Sequence, residues 1–553
     1  MVHIISFQLF FFFIFLIGRG FCNVVFTYFK KLDSENYEII NTPIYIFYPI
    51  FGLFFLGNLS VFLNFFMGIN NAVVYSLILI SIILSNLIKK LNLEFNLVNL
   101  FYFIITPAIL SISSYTIGFA RDAGGYHLNV QNWIRESNLH FGLYNLNPQY
   151  GFSSLIDYIN SFFWFGENMI LLHYVNLSII VSFLGFLFFN VVQRNNSLNF
   201  SVGLLILIFG FLDNFGFSGG KNGFIEIDSI PKQDSFFAIV FFLASLFIFH
   251  ELKEGMFDIK NLFFISIFVL FSYQLRILGL TLGILFVYYV YKVINKNKIN
   301  NVIKNLIFFT LLNVFWFTKN VLITGCLIFP LRASCLSNIP WFNENMVINE
   351  RASLANDWHK AYSIGDKIVE WFSSWSSNLI NITVAINFLI TFLFLVLFSF
   401  IFKKRKQAMT TNEGVYIIFV ISTVFIWLIS APGIRLGLGI FMISITCISI
   451  FIEINKENKL FLSSFGKIGI ISLFIIVNLL LPRFTNFTSF LTNVTYFNSL
   501  TVENVEYEDP ISSDIYGVKP ANKVSCWINI ECSSYNTKPV KIDKQFYSYF
   551  QEK

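Results

Sequence analysis

Residues 261–292 read NLFFISIFVLFSYQLRILGLTLGILFVYYVYK, a run too long for one membrane span and short for two, with Arg276 at its middle. A helix rises about 1.5 Å per residue and a bilayer core is about 30 Å thick, so one crossing takes about 20 apolar residues. Two short helices meeting at a polar tip on Arg276 keep Lys292, Lys296, Lys298 and Lys304 on the side of the earlier basic clusters, whereas a single helix moves them across. Lys and Arg near helix ends collect on the cytoplasmic face. The two-helix reading is therefore adopted.

Working outward, apolar runs recur at 4–29, 44–68, 71–88, 98–118, 168–192, 198–216, 235–250, 303–325, 379–402, 414–431, 436–455 and 468–482. With the split run they give about 12–14 spans. The 553 residues are 56% hydrophobic and 12% charged, against about 25% charged in a soluble domain. The fold class is an all-α polytopic membrane protein. The 73 Phe residues read as compositional bias, so no aromatic stripe is taken as a site. The run 4–29 lacks a basic leader segment and reads as a retained helix.

The net charge of +6 is spread over short clusters between apolar runs, which argues for positive-inside topology and against nucleic acid as a partner. Lys30/Lys31, Lys89/Lys90, Arg194, Lys253/Lys260, Lys403 to Lys406 and Lys456/Lys459/Lys467 fall on one face if the N-terminus starts outside. Four polar pieces then face outward: 119–167, 217–234, 326–378 and the tail 483–553. The organisation is an N-terminal group of accessory helices (1–97), a transmembrane core (98–482) and an extracytoplasmic tail (483–553). Cys326 and Cys335 share one outer loop and Cys526 and Cys532 share the tail. In an oxidising compartment these four are disulfide candidates, with the pairing open.

The loop 119–167 opens with RDAGGYHLNVQNWI (121–134). Asp122, just past a span, is placed to accept a proton from a hydroxyl, or simply to cap a helix. Gly124 and Gly125 allow a bulky substrate to approach the backbone. Spacing from Tyr126 onward predicts an interfacial amphipathic helix over 126–138, with His127, Gln131 and Arg135 on its polar face. Arg276 and Arg435 lie at outer ends of apolar segments, where an arginine either binds an anion such as phosphate or snorkels to headgroups. Lys319 faces the same choice. Asp234 starts a helix and reads as a cap, while Glu226 and Asp228 with Asp122 or Asp234 form a candidate set for a divalent cation such as Mg²⁺ or Mn²⁺. No nucleotide-binding loop or protease triad order occurs in a supporting context, which disfavours reactions driven by cytoplasmic nucleotides.

RDAGGYHLNVQNWI, with Asp122, Tyr126, His127, Leu128 and Trp133, resembles the first large outer loop of membrane glycosyltransferases of the GT-C class. The likeness is nearest to a bacterial group with a D-x-x-x-Y-H-L pattern. GLYNLNPQYGFSSL (142–155), WFTKNVLITGCLIFP (316–330), APGIRLGLG (431–439) and CWINIECSSY (526–535) resemble that group's further motifs, in order. Leu436 departs from the usual aromatic, and the last motif lacks a proline often found before its second cysteine. The resemblance implies a GT-C-like bundle with interfacial helices and an outer cavity. It also implies a polyprenyl-phosphate-linked sugar donor, a glycan or lipid-linked acceptor, and a site facing outward from a bacterial inner membrane. Asp122 would take the catalytic role, with Tyr126, His127, Arg276, Lys319 and Arg435 binding substrate. Some members of the class use a divalent metal and others do not. The rival expectations are a flippase or other glycan transporter, and an O-antigen-type polymerase or ligase.

Overall fold

The computed structural model describes residues 1–28, 37–72, 74, 76, 96–120, 122–152, 154–164, 166–193, 196–215, 229–231, 234–359, 368–397, 402–404, 408–430, 433–434, 436–454, 491–493, 497, 499–502, 515–516, 526–529, 540–544 and 548–552. The runs 71–88 and 468–482 fall largely or wholly outside them.

Helices dominate. They are α1 (Val2–Tyr28), α2 (Tyr48–Asn64), the helical run α3 (Leu97–Tyr115), α4 (Leu128–Glu136), α5 (Leu155–Ser161), α6 (Ile170–Gln193), α7 (Ser197–Phe215) and α8 (Asp234–Glu254). After these come α9 (Ile259–Leu275), α10 (Leu282–Lys296), α11 (Ile299–Thr324), α12 (Glu344–His359), α13 (Ile368–Ser377), α14 (Leu379–Leu397), α15 (Thr411–Ser430) and α16 (Leu438–Ser449). Eight helices among the described residues are long and apolar enough to cross a membrane: α1, α2, α3, α6, α8, α10 with the turn before it, α11 and α15. The chain is a helical multi-pass membrane protein.

Small residues decide the first packing contact. A Cβ on Gly18 of α1 would lie 1.7 Å from the Tyr48 carbonyl oxygen, and one on Gly52 of α2 would lie 2.6 Å from that of Ile14. The two backbones touch because neither position carries a side chain, the usual way helices associate in lipid. One hydrophobic core runs on from here, from Phe7 in α1 to Ile450 beyond α16. Phe47, Phe247 and Phe268 form an edge-to-face trio within it, with centroids 4.9–5.9 Å apart. Phenylalanine thus serves packing.

The apolar windows of α6 and α8 are 94% buried, while those of α10, α11 and α15 are 33%, 17% and 33% buried. Ile284, Val287, Ile307, Leu311, Ile418 and Ile421 project outward from the peripheral helices. Polar backbone inside these helices is satisfied internally, so such apolar faces suit contact with lipid.

The run 261–292 is two helices. Arg276 is extended between α9 and the 3-10 turn Ile277–Thr281 that leads into α10. The turn is tight: a Cβ on Gly279 would stand 2.5 Å from the Ser272 carbonyl carbon.

Sheet is confined to small pieces: β1 (Glu38–Ile39) with β2 (Thr42–Pro43), β3 (Gly118–Phe119) with β4 (Ser229–Ile230), and β5 (Phe402–Lys404) with β6 (Ile452–Ile454). A three-stranded sheet in the tail joins β7 (Ile515–Tyr516), β8 (Val540–Lys544) and β9 (Ser548–Glu552). The parallel pair β3–β4 bears on the site. It draws the start of loop 119–167 against the end of loop 217–234, helped by the Ala120 N–H donating to the Ile230 carbonyl at 2.7 Å.

Candidate functional site

A cavity of about 440 Å³ opens where the tip between α9 and α10 meets the C-terminal ends of α11 and α15. Its wall includes Tyr126, Arg276, Trp316, Asn320, Phe329 and Leu436. Four of the motif-bearing runs therefore contribute, because Gly151 and Phe152 of GLYNLNPQYGFSSL line it as well.

Arg276 finds an anion within the protein: its guanidinium is ion-paired with Asp234. Asp234 opens α8, so its carboxylate engages the arginine, a role beyond the cap expected of it. The same arginine lies 5.9 Å from the Phe237 ring centroid. A guanidinium carries five donors in a fixed fork, and one pair with Asp234 leaves Arg276 on the cavity wall.

Asp122 is half-buried and precedes a π-helical turn, Ala123–His127. Its side chain makes no capping bond, while its carbonyl accepts the N–H groups of Tyr126 at 3.3 Å and His127 at 3.5 Å. A Cβ on Gly125 would meet nothing within 4 Å, so the backbone here borders open space. Tyr126 is where the charges converge. Burial, then the carboxylates of Asp122, Asp157 and Asp234, push its phenol well above the ordinary range, and Arg276 opposes them.

The interfacial helix expected over 126–138 is corrected in two ways. The α-helical part is α4, Leu128–Glu136, and its polar face points inward: His127, Gln131 and Arg135 are all buried. They meet α5. His127 Nδ1 lies 3.0 Å from Asp157 Oδ1, and Gln131 Nε2 donates to the same oxygen at 3.2 Å. Arg135 donates to the Ser161 carbonyl and to Asn71 Oδ1, both at 2.7 Å.

Asp157 is the residue the sequence reading missed. It is 3% exposed and closes a capping box with Ser154 at the start of α5. The spacing Ser154-x-x-Asp157 before an apolar run is a recognised helix-start pattern, and was the available signal.

Of the two readings of Lys319, the fold removes one. It does not snorkel: it is fully buried, with its ammonium 3.5 Å from the Trp316 centroid and 5.4 Å from that of Tyr158, and it interacts electrostatically with Asp157. Trp316 and Asn320 line the cavity on either side of it in sequence, so Lys319 supports the wall from within.

The tail supplies a second contact with the first loop. The Trp527 N–H donates to the Gly124 carbonyl at 2.9 Å, and its ring meets Phe119 edge-on at 5.1 Å. Asn132 Nδ2 donates to the Ile528 carbonyl at 2.8 Å, and Asn129 Nδ2 to that of Asn529. Cys326 and Cys335 form a disulfide, and Cys526 is disulfide-bonded. Cys532, Arg435, Glu226 and Asp228 lie outside the described residues. Among those described, no group of three or more His, Cys, Asp or Glu is gathered to hold a metal ion.

Comparison with curated proteins and with solved structures returns no match. The family whose model matches residues 1–442 is described as a domain of unknown function (DUF8201), and the chain belongs to it.

Proposed function

We propose that the protein is a membrane glycosyltransferase of the GT-C type. In this reading it sits in a bacterial inner membrane and moves a sugar from a polyprenyl-phosphate-linked donor to a glycan or lipid-linked acceptor on the extracytoplasmic side, for surface polysaccharide or glycoconjugate synthesis. One observation carries it. Motif runs far apart in sequence contribute to one cavity of about 440 Å³, with Arg276 and the rings of Tyr126, Trp316 and Trp427 on its wall. That volume falls in the range of about 300–1,000 Å³ typical of ligand pockets, which pair apolar walls with a few placed polar groups.

The chemistry is a displacement at the anomeric carbon. The acceptor oxygen forms the new bond to that carbon, the bond from carbon to the phosphate oxygen breaks, and the lipid phosphate leaves with the electron pair. Asp122 takes the acceptor's proton, and Arg276 offsets charge on the departing phosphate. Arg435, whose neighbour Leu436 lines the cavity, is the second cation for that role. Lys319 acts only through the Trp316 wall.

A second reading, transport of lipid-linked glycans, draws on Arg19 in α1 and Lys319 in α11, both buried within membrane-crossing helices. Charges at such depth mark substrate paths in many transporters. An O-antigen-type polymerase or ligase differs from the first reading only in its acceptor.

The deciding experiment is transfer of labelled sugar from polyprenyl-phosphate donors by purified protein, native against Asp122→Asn. Transfer by the native protein that the variant loses supports the enzyme with Asp122 as base. Equal transfer by both removes Asp122 from that role. No transfer with any donor, together with flipping of lipid-linked glycan in vesicles, favours transport.

A further inference from the structure

Asp157 takes the Ser154 N–H at 3.4 Å through Oδ2 and meets His127 and Gln131 through Oδ1, with Lys319 acting on it electrostatically. His127 and Gln131 are spaced i and i+4, so they leave the first-loop helix on one side. Gln131 also accepts a hydrogen bond from Trp164 Nε1 at 3.0 Å. The His127 ring packs at 4.1 Å on Tyr126, which lines the cavity. Asp157 itself is absent from the residues lining that cavity. A carboxylate accepts hydrogen bonds, so the imidazole presents Nδ1–H toward it and keeps one tautomer and one ring orientation.

We propose that Asp157 is a positioning residue for the reaction assigned above: it fixes His127, and through that ring fixes Tyr126 and the backbone that presents Asp122. The inference rests on the glycosyltransferase reading for its kinetic consequence and on geometry alone for its structural one. The groups facing His127 are Asp157 from α5, Lys319 from α11 through that same carboxylate, and Tyr126 from its own segment. A carboxylate held behind the reacting loop acts on orientation. A displacement of about 1 Å at a reacting group costs on the order of 100-fold in rate.

Two variants and two readouts test it on the full-length protein in detergent. Hydrogen exchange of peptides covering 122–131 should accelerate in Asp157→Asn while α6 and α8 stay protected. His127→Asn, whose amide can replace Nδ1–H but not the ring on Tyr126, should lose less protection than His127→Leu. In the transfer assay Asp157→Asn should lose about 100-fold in kcat with donor KM little changed. Native exchange in Asp157→Asn, or native kcat in it, overturns the proposal, as does a rise in KM alone. If Asp157→Asn does not purify folded, His127→Leu carries the same exchange test, and unchanged exchange there overturns the proposal. If the native protein transfers no sugar, the functional reading fails, and the exchange result still decides whether Asp157 anchors the loop.

Discussion

Trp527 donates its backbone N–H to the carbonyl of Gly124 at 2.9 Å, tying the C-terminal tail to the loop that carries Asp122. Trp527 sits at φ +49°, a left-handed conformation that is unfavourable for a bulky side chain and persists only when surrounding contacts hold it. Those contacts are Phe119 on its ring and the bonds from Asn132 and Asn129 to the carbonyls of the two residues that follow it. The tail is therefore part of the site's scaffold.

Replacing Trp527 by Ala keeps the backbone bond and removes the ring. An edge-to-face aromatic pair contributes about 0.5–1.5 kcal/mol beyond its buried area, so Trp527→Ala should speed hydrogen exchange at 123–132 several-fold. Asn132→Ala should add a smaller effect, because one ordinary hydrogen bond contributes about 1 kcal/mol. Native exchange in both variants would falsify the scaffold role.

Two glycines should behave oppositely. Gly18→Ala forces a methyl into the Tyr48 backbone, and overpacking against rigid atoms costs about 1–3 kcal/mol or more. The expected outcome is a clearly lower Tm or loss of monodisperse protein. Gly125→Ala meets open space and should leave Tm close to native. If Gly125→Ala keeps its Tm and loses sugar transfer, the open space beside Tyr126 is where substrate sits.

The break at Arg276 was legible because charge placement and span length are local quantities. Positions 127, 131 and 135 were legible as one face, but periodicity says only that a face differs, and cannot say whether it meets water or an inward carboxylate. Asp157 supplies that carboxylate from α5, beyond the reach of helical spacing. The pairing of Arg276 with Asp234, 42 positions apart, depends on how α8 and α9 pack. Lys319 illustrates the same limit: hydropathy places it toward one half of its helix, and only the fold puts it between Trp316 and Tyr158.

Arg276 should control affinity for the lipid phosphate. A hydrogen bond to a charged group contributes about 1.5–3 kcal/mol, so Arg276→Gln should weaken binding of polyprenyl phosphate by about 10- to 100-fold. Because the Asp234 carboxylate already engages the guanidinium, Asp234→Asn should leave more of the cation for phosphate and should not weaken binding. Weakening in Asp234→Asn equal to that in Arg276→Gln would mean that the pair acts as a positioning unit.

His140 should give the segment 119–167 a pH dependence. It packs edge-on against Trp133 at 4.9 Å, and burial lowers its pKa below the ordinary 6.5. Below pH 6.5 the unfolded chain then binds more protons than the folded one, so stability rises with pH in that window. The contribution is complete above 6.5 and is lost as pH falls toward the folded-state value. Tm should drop as pH falls below about 6.5, and His140→Gln should flatten that drop. A profile identical in the variant would assign the pH dependence elsewhere.

Lys319 and Asp157 should be energetically coupled. Removing one member of a buried charge pair costs about 3–5 kcal/mol, because the remaining charge keeps its desolvation without its partner. Lys319→Met retains the apolar stem and should lower Tm strongly, and Asp157→Asn should do likewise. The double variant leaves neither charge stranded, so its loss should fall short of the sum by a coupling of about 0.5–3 kcal/mol. Strict additivity would show that Lys319 is held by the Trp316 and Tyr158 rings alone. In that case the cavity wall and the first loop are anchored independently, and Asp157→Asn should disturb exchange at 122–131 without altering the environment of Trp316.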